Sequence, residues 1–248
     1  MSDAEEIVLR AVTERRSVRA FRPEPVPRDT VERILRAAAR APSGTNIQPW
    51  QVLVLTGRAL QQFGRQLSTH ALSGAAPERE YSYYPNCWRE PYLGRRRKVG
   101  WDLYSALGIA KGDRAAAARQ HARNYAFFGA PVGMIFTMDR DMEIGSWLDL
   151  GMFLQNIMVC SRAVGLDTCP QAAFSQYAVT VARLLDIPAE RQVILGMALG
   201  CADPTAPENN FETEREELAS FARFLEDLPV CEIKPEKHGP DEERWRAL

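Results

Sequence analysis

The sequence predicts a single α/β or α+β domain, with a central sheet flanked by helices. Segments with helical spacing of apolar residues outnumber the β-branched, apolar runs, and those runs come singly between helices rather than in hairpin pairs. The chain has 248 residues, of which 46% are hydrophobic, which is enough to bury a sizeable core. We expect one domain over residues 1–228 and a charged, proline-containing arm or tail over residues 229–248.

The individual elements follow from periodicity and from residues that start or stop them. Asp29 with Glu32 three positions later resembles a capping box, and Gly165 suits the end of a long apolar helix. The predicted helices cover residues 5–15, the stretch from Asp29 up to Pro42, and residues 114–125, 146–164 and 214–225. The predicted strands cover residues 50–55, 132–138 and 192–199.

Residues 69–97 differ in character from the rest, because tyrosines, tryptophan and prolines crowd together ahead of Arg95-Arg96-Arg97-Lys98. We expect an irregular excursion that, with the following residues to about 125, forms a lid over a pocket. An RNA-binding surface is the alternative for an aromatic and basic stretch. The neutral balance of the chain, with a net charge of -1, argues against that alternative.

Composition excludes several other classes of protein. The first residues are acidic and charge-interrupted, unlike a secretory signal, and no apolar run reaches membrane-spanning length. The five cysteines form no C-x-x-C pair, which favours reduced thiols and a cytoplasmic location. The three histidines lack zinc-ligand spacing, so we expect no metal site. The motifs G-x-G-x-x-G, P-loop and G-x-S-x-G are absent from the sequence.

Two short motifs carry candidate chemistry. Arg15-Arg16-Ser17-x-Arg19 places three guanidinium groups and a hydroxyl near a phosphate or another polyanion, although a solvated basic helix end explains the same residues. Residues 42–50, P-S-G-T-N-I-Q-P-W, put hydroxyls and amides into a proline-bracketed loop that could recognise a flat polar ring edge. A simple turn with a buried Trp50 is the alternative for that loop.

The two motifs together, in this order and at this separation, resemble the nitroreductase family. The resemblance continues through residues 165–171, 196–200 and 210–215, and it covers residues 8–226. Residues 101–104 and 120–125 look like the members that reduce nitrobenzoates. The resemblance implies an α+β fold with a central mixed or antiparallel sheet and an intertwined homodimer. It also implies two sites at the subunit interface, each holding FMN without a covalent link.

The resemblance also implies which residues hold the flavin. The arginine motif is expected from one subunit and the loop at 42–48 from the other, with Arg215 completing a phosphate clamp. Arg19 is expected near the ring edge that gains negative charge on reduction. After Pro170 this chain departs from the Glu-Gly pair of many members, which leaves the nicotinamide preference open. The implied FMN-binding residues are Arg15, Arg16, Ser17, Arg19, Pro42, Ser43, Gly44, Asn46, Gln48, Pro170, Gln171, Ala172 and Arg215.

The implied activity is a ping-pong cycle in which NAD(P)H reduces the flavin and a small, planar nitroaromatic acceptor then takes electrons in pairs, from nitro to nitroso to hydroxylamine. No protein base is needed, because the flavin carries the chemistry, and the protons are expected from solvent or from a lid residue. Competing hypotheses are a reductive dehalogenase of the deiodinase type, a flavin-fragmenting or dehydrogenating relative, and a non-enzymatic flavin-binding protein. The candidate substrate contacts are Tyr81, Tyr84, Trp88, Tyr92, Arg97, Tyr104 and Arg123.

Overall fold

A four-stranded sheet forms the centre of the computed structural model, which describes residues 3–227 and the side chains of residues 5–227. The strands are β1 (Gln51–Thr56), β2 (Val132–Asp139), β3 (Asp167–Gln171) and β4 (Arg191–Gly200). Their order is β1-β2-β4-β3, and each neighbouring pair is antiparallel. The fold is therefore α+β, which decides between the two classes that the sequence left open.

Helices pack on both faces of this sheet. They are α1 (Asp3–Thr13), α2 (Arg28–Ala38), α3 (Gly57–Leu72), α4 (Tyr92–Ala106), α5 (Arg114–Ala122), α6 (Ile144–Ala163), α7 (Ala178–Leu184) and α8 (Leu218–Phe221). Short 3-10 turns cover Gly44–Asn46, Arg123–Gly129, Ala172–Tyr177 and Pro207–Asn209. Among the described residues, no helix combines the length and the apolarity needed to cross a bilayer.

The chain divides into two compact units, of which the first ends at Glu212 and the second begins at Thr213. The first unit holds the sheet and its two hydrophobic layers. The second contains α8, whose Leu218 is 55% exposed and whose Phe221 is 71% exposed. The expected single domain over 1–228 stays a prediction, and the expected tail at 229–248 lies outside the described residues.

Two glycines let aromatic rings reach the sheet directly. A Cβ added at Gly133 would approach the ring of Phe127 to 2.6 Å, and one added at Gly196 would overlap the ring of Phe174. Phe127 and Phe174 are completely buried and stack with their ring centroids 4.7 Å apart. These rings therefore fix the turns at Arg123–Gly129 and Ala172–Tyr177 against the sheet.

The capping box expected at Asp29 and Glu32 is wrong. Helix α2 begins one residue earlier, after Pro27, and no side chain caps it. Glu32 instead forms ion pairs at 2.8 Å with both Arg28 and Arg36. Each ion pair spans about one helical turn. The Glu32 carboxylate, which a capping box would use at the helix N-terminus, is bound by these two arginines instead.

Strand β3 was not predicted, because Pro170 lies inside it and proline lacks the amide donor of a strand. The sheet order explains why it is tolerated, since β3 is an edge strand that needs ladder partners on only one side. The predicted excursion at 69–97 is also shorter than expected. Helix α3 continues to Leu72 and α4 begins at Tyr92, so the basic run Arg95–Lys98 is helical.

The final helix, expected over residues 214–225, is wrong in extent. Only Leu218–Phe221 is helical. Phe224, one of the apolar residues of this segment, is 82% exposed. Most helical stability in proteins comes from packing an apolar face, so a short segment with an exposed apolar face lacks the stabilisation that would extend it.

Gly196→Ala is expected to lower stability by ~1–3 kcal/mol, because the added methyl overlaps the buried ring of Phe174. Thermal unfolding of the variant and of the natural chain measures the difference. Gly100→Ala is the matched control: it lies inside α4 with nothing within 4 Å of the new Cβ. This control is expected to raise stability by about 0.5–1 kcal/mol. Equal melting temperatures for Gly196→Ala and the natural chain would contradict the packing argument.

Candidate active site

The arginine motif lies beside the edge strand β3. Ser17 forms a parallel bridge with Thr168, and the amide of Val18 donates to the carbonyl of Thr168 at 3.0 Å. The Val18 side chain is 1% exposed and anchors this segment in the core. The amide of Arg19 donates to Oδ1 of Asn209 at 2.8 Å. These contacts hold Arg19 at the end of the sheet where β3 runs into the turn at Ala172–Tyr177.

Cys169 shows how close the motif comes to β3. Burial raises the pKa of the Cys169 thiol to about 11, although Arg19, a hydrogen bond from Ser17 and the charge of Arg15 oppose that rise. The arginine motif therefore runs alongside β3. Of the motif residues, Arg19 lines the cavity that opens along this wall, together with Cys169, Pro170 and Gln171 of the strand.

A cavity of about 540 Å³ opens beside this wall. Its volume falls in the range of about 300–1,000 Å³ that is common for ligand pockets. The described residues lining it include two arginines and no acidic side chain. The lining residues are Arg19, Arg79, Ser82, Tyr83, Tyr84, His121, Asn124, Cys169, Pro170, Gln171, Ala172, Ala173, Ser175 and Gln176.

Gln171 provides an unused acceptor in the cavity wall. The residue is 2% exposed, and its Nε2 donates to the carbonyl oxygen of Asn124 at 2.7 Å. Its Oε1 is buried and has no hydrogen-bond partner among the described residues. Buried polar atoms are normally satisfied, so this oxygen suits an N–H donor on a bound molecule. A polar heterocycle such as the flavin of FMN fits this acceptor, the charge of Arg19 and part of the volume.

His121 also lines the cavity, and burial lowers its pKa. Its ring lies edge-on to Tyr125 with the centroids 5.8 Å apart. A lowered pKa favours the neutral imidazole, so His121 adds hydrogen-bonding capacity to the wall without adding a second positive charge near Arg19 at neutral pH.

The proline-bracketed loop lies elsewhere in the same chain, against α6. The amide of Gly44 donates to Oδ2 of Asp149 at 3.1 Å, and the amide of Gln48 donates to Oγ of Ser43 at 3.0 Å. Asn46 and Gln48 have positive φ angles of 63° and 52°, which ordinary side chains rarely adopt. Such strained residues often occur at ligand sites. None of residues 42–48 belongs to the wall of the 540 Å³ cavity.

Of the candidate substrate contacts, Tyr84 lines the cavity. The hydroxyl of Tyr81 donates a hydrogen bond to the carbonyl of Ile194, and its ring lies edge-on to Trp147. Burial raises the pKa of this tyrosine to about 12. Arg123 pairs with the buried Glu208 and lies 5.9 Å from the centroid of the Phe128 ring. Tyr81 and Arg123 therefore use their polar groups within the chain.

The remaining candidates lie outside the wall of this cavity, and a role for them toward substrate stays a prediction. Trp88 is covered by the guanidinium of Arg96, 4.5 Å from the ring centroid, and Tyr92 by Arg89, 5.0 Å from the centroid. Arg97 and Tyr104 lie on α4.

Arg215, the arginine expected at the FMN phosphate, belongs to the second unit, where its Nη1 donates to Oγ1 of Thr213 at 2.7 Å.

Sequence reasoning missed part of the cavity wall. Arg79, His121 and Asn124 line it but belong to no short motif. The one signal for Arg79 is its place between two acidic residues just before the tyrosine run. His121, at the end of α5, and Asn124, in the turn that follows, lie within residues 120–125, whose resemblance to nitrobenzoate-reducing members was the only signal for them.

Comparison with known proteins identifies the family. Residues 12–201 match the model of the nitroreductase family. Nitrobenzene nitroreductase of Ectopseudomonas oleovorans is 40% identical over 219 residues, covering 86% of this chain and 95% of that one. The 4-nitrobenzoate reductase of Pseudomonas putida is 38% identical over 215 residues, covering 86% and 93%.

A solved structure agrees with both sequence matches. The FMN-dependent nitroreductase NfnB of Mycobacterium smegmatis, in complex with NADPH, superposes with a TM-score of 0.85 at 32% identity. The superposition covers 90% of this chain and 100% of that one. The family expected from the two motifs is thus confirmed along most of the sequence: the chain belongs to the nitroreductase family.

Proposed function

We propose that this chain is an FMN-dependent oxidoreductase that passes electrons from NADPH or NADH to small nitroaromatic compounds. The observation that carries the proposal is the 38–40% identity to enzymes named for nitrobenzene and 4-nitrobenzoate, extending over 86% of this chain. The cavity supports it, because Arg19 and the buried Oε1 of Gln171, which has no hydrogen-bond partner among the described residues, suit a flavin. The structural neighbour described as FMN-dependent and holding NADPH supports both the cofactor and the electron donor.

FMN, when bound, supplies the chemistry that accepts hydride from nicotinamide and delivers electron pairs to the nitro group. The chain's own part is to bind and orient. Arg15, Arg16 and Arg215 are proposed to pair with the phosphate, since bidentate guanidinium groups match its geometry. Arg19 is proposed to lie near the ring edge that becomes negative. Gln171 Oε1 offers an acceptor to a ring N–H.

We also propose a homodimer whose two subunits share each flavin site. Ile144 and Leu148 are 78% and 67% exposed, and they lie one helical turn apart on α6. On α1, Ile7 and Val8 are 64% and 60% exposed. Apolar stripes of this kind are typical of surfaces that a partner covers. A second subunit would also bring a copy of the 42–48 loop to a site that lacks it.

A reducing compartment such as the cytoplasm is proposed from the thiols. Cys87, Cys160, Cys169 and Cys201, the cysteines that the described part of the chain contains, are all free. Free thiols are usual where glutathione and thioredoxin keep proteins reduced. We retain, as a proposal, the single flavin-binding domain over residues 1–228 with a following arm.

The purified protein is expected to show flavin bands that bleach when NADPH or NADH is added anaerobically and return when 4-nitrobenzoate follows. The reason is that the donor and the acceptor react in turn at the same site. A stopped-flow or conventional spectrophotometer follows both steps. Oxidised nicotinamide added in place of the reduced form is the control, and it should leave the bands unchanged.

Three outcomes of this experiment, repeated with iodotyrosine as an alternative acceptor, contradict parts of the proposal. Bands that bleach and stay bleached with nitroarenes would leave the flavin reductase but remove the nitroaromatic acceptor. Turnover of iodotyrosine without turnover of nitrobenzoate would favour the dehalogenase. A protein that binds no added FMN would refute the proposal as a whole.

Arg215→Ala and Ser43→Ala are each expected to weaken FMN retention, the arginine change more strongly because it removes a charge-assisted contact. The loss expected for Arg215→Ala is about ten-fold or more in affinity, and for Ser43→Ala it is several-fold. Flavin released during dialysis measures both. Arg223→Ala, an exposed arginine of the same unit as Arg215, is the charge-matched control. Unchanged occupancy in both variants would remove these two residues from the flavin site.

A further inference from the structure

We propose that Arg79 selects acceptors that carry a carboxylate, by pairing with that group while the aromatic ring lies in the 540 Å³ cavity. This inference deepens the proposed nitroaromatic reduction and rests on it. Arg79 is outside both sequence motifs. It stands in the part of the chain that crosses from α3 to α4, between Glu78 and Glu80.

The charge of the cavity favours an anion. Arg19 and Arg79 both line it, and no described lining residue is acidic. Arg19 is occupied at one side: its Nη1 donates to the carbonyl of Ser17 at 3.3 Å, and its guanidinium lies 5.7 Å from the centroid of the Phe211 ring. Arg79 is exposed and makes no hydrogen bond or ion pair with any residue among 5–227, so its guanidinium is available to a ligand that enters the cavity.

Glu78 fixes one neighbour of Arg79. Its amide donates to the carbonyl of Gln176 at 2.7 Å, and its Oε2 accepts from the amide of Thr180 at 2.8 Å. Oε1 accepts from the hydroxyl of the same threonine at 3.2 Å. Nε2 of His70 lies 3.8 Å from Oε1. Glu78 is therefore tied to the turn that follows β3, which lines the cavity, and to α7, which follows that turn.

Glu80 fixes the other neighbour. Its Oε1 accepts from Nη2 of Arg140 at 2.6 Å, and its Oε2 accepts from the amide of Val193 in β4 at 3.3 Å. The next residue, Tyr81, donates its hydroxyl to the carbonyl of Ile194. With both flanking carboxylates held by partners, the backbone of Arg79 is held in place at the cavity that this residue lines. This is the arrangement of a positioned recognition group on a supported segment.

The same wall provides the surface for an aromatic ring. Tyr83 and Tyr84 line the cavity and meet edge-on with their ring centroids 4.9 Å apart. A ring bound against them, with its charged substituent toward Arg79, combines apolar contact with a charge-assisted hydrogen bond. An ion pair between an arginine and a carboxylate is weak when it is fully exposed to water and stronger in a pocket that a bound ligand closes. A benzoate-type acceptor fits this combination better than a neutral nitroarene.

The test compares Arg79→Gln with Arg58→Gln in the FMN-loaded protein. Arg58 is an exposed arginine in the first turn of α3 that does not line the cavity, so its substitution removes the same charge elsewhere. For Arg79→Gln, the ratio of kcat/KM for 4-nitrobenzoate to kcat/KM for nitrobenzene is expected to fall about ten-fold or more, the effect of one lost charge-assisted hydrogen bond. For Arg58→Gln the ratio should stay within two-fold of the natural protein's, as a distant surface charge allows.

Binding of benzoate to the oxidised protein, measured by calorimetry, provides a readout that needs no turnover. The dissociation constant should rise about ten-fold in Arg79→Gln and should not change in Arg58→Gln. If the natural protein reduces neither nitroarene, the proposed function fails while benzoate binding still tests Arg79. An unchanged ratio and unchanged benzoate binding would overturn the assignment of Arg79.

Two further outcomes would also overturn it, because they assign the guanidinium to another anion. Loss of FMN from Arg79→Gln, read from the flavin absorbance, would place Arg79 at the cofactor phosphate. A raised KM for NADPH with an unchanged nitrobenzoate ratio would place it at the dinucleotide.

Discussion

Val18 donates its amide to the carbonyl of Thr168 at 3.0 Å, and on this contact the arrangement of the candidate site depends. Ser17 and Thr168 form a β-bridge at the same place, and Oδ1 of Asn209 accepts a hydrogen bond from the amide of Arg19. Strand β3 is an edge strand of the sheet, which is where a strand that contains a proline such as Pro170 is tolerated. The side of β3 that faces away from β4 pairs with the segment at Ser17. The arginine motif is thereby placed beside a strand that lies 150 residues further along the chain, counted from Val18 to Thr168.

The walls of the cavity depend on the sheet in the same way. Gly196 and Gly133 admit the rings of Phe174 and Phe127, and these rings hold the turn that follows Gln171 and the turn that contains Asn124. The segment that carries Arg79 is held by the carboxylates of Glu78 and Glu80. A rigid scaffold with polar anchors suits an enzyme whose protein groups orient partners and leave electron transfer to a cofactor.

Sequence patterns predicted the elements that local composition determines. Strands β2 and β4 and helix α6 are long apolar runs, and they occur where expected. Strand β3 was missed because its proline argues against a strand unless the sheet order is known. Arg79 could not be found, because its position depends on contacts from Glu78 to Thr180 and from Glu80 to Val193, each more than a hundred residues along the chain. The two motifs were found because their residue order is specific to the family.

The sharing of one flavin site by two subunits is tested most directly with a heterodimer purified through two different tags. One subunit carries Arg16→Ala with Arg19→Ala, and the other carries Ser43→Ala with Asn46→Ala. In a two-fold dimer whose sites combine the arginine motif of one subunit with the loop of the other, one site is natural and its counterpart has all the changes. The account predicts that the heterodimer retains FMN in one of its two sites while both parent homodimers lose it. A heterodimer as poor in flavin as its parents would contradict the shared site.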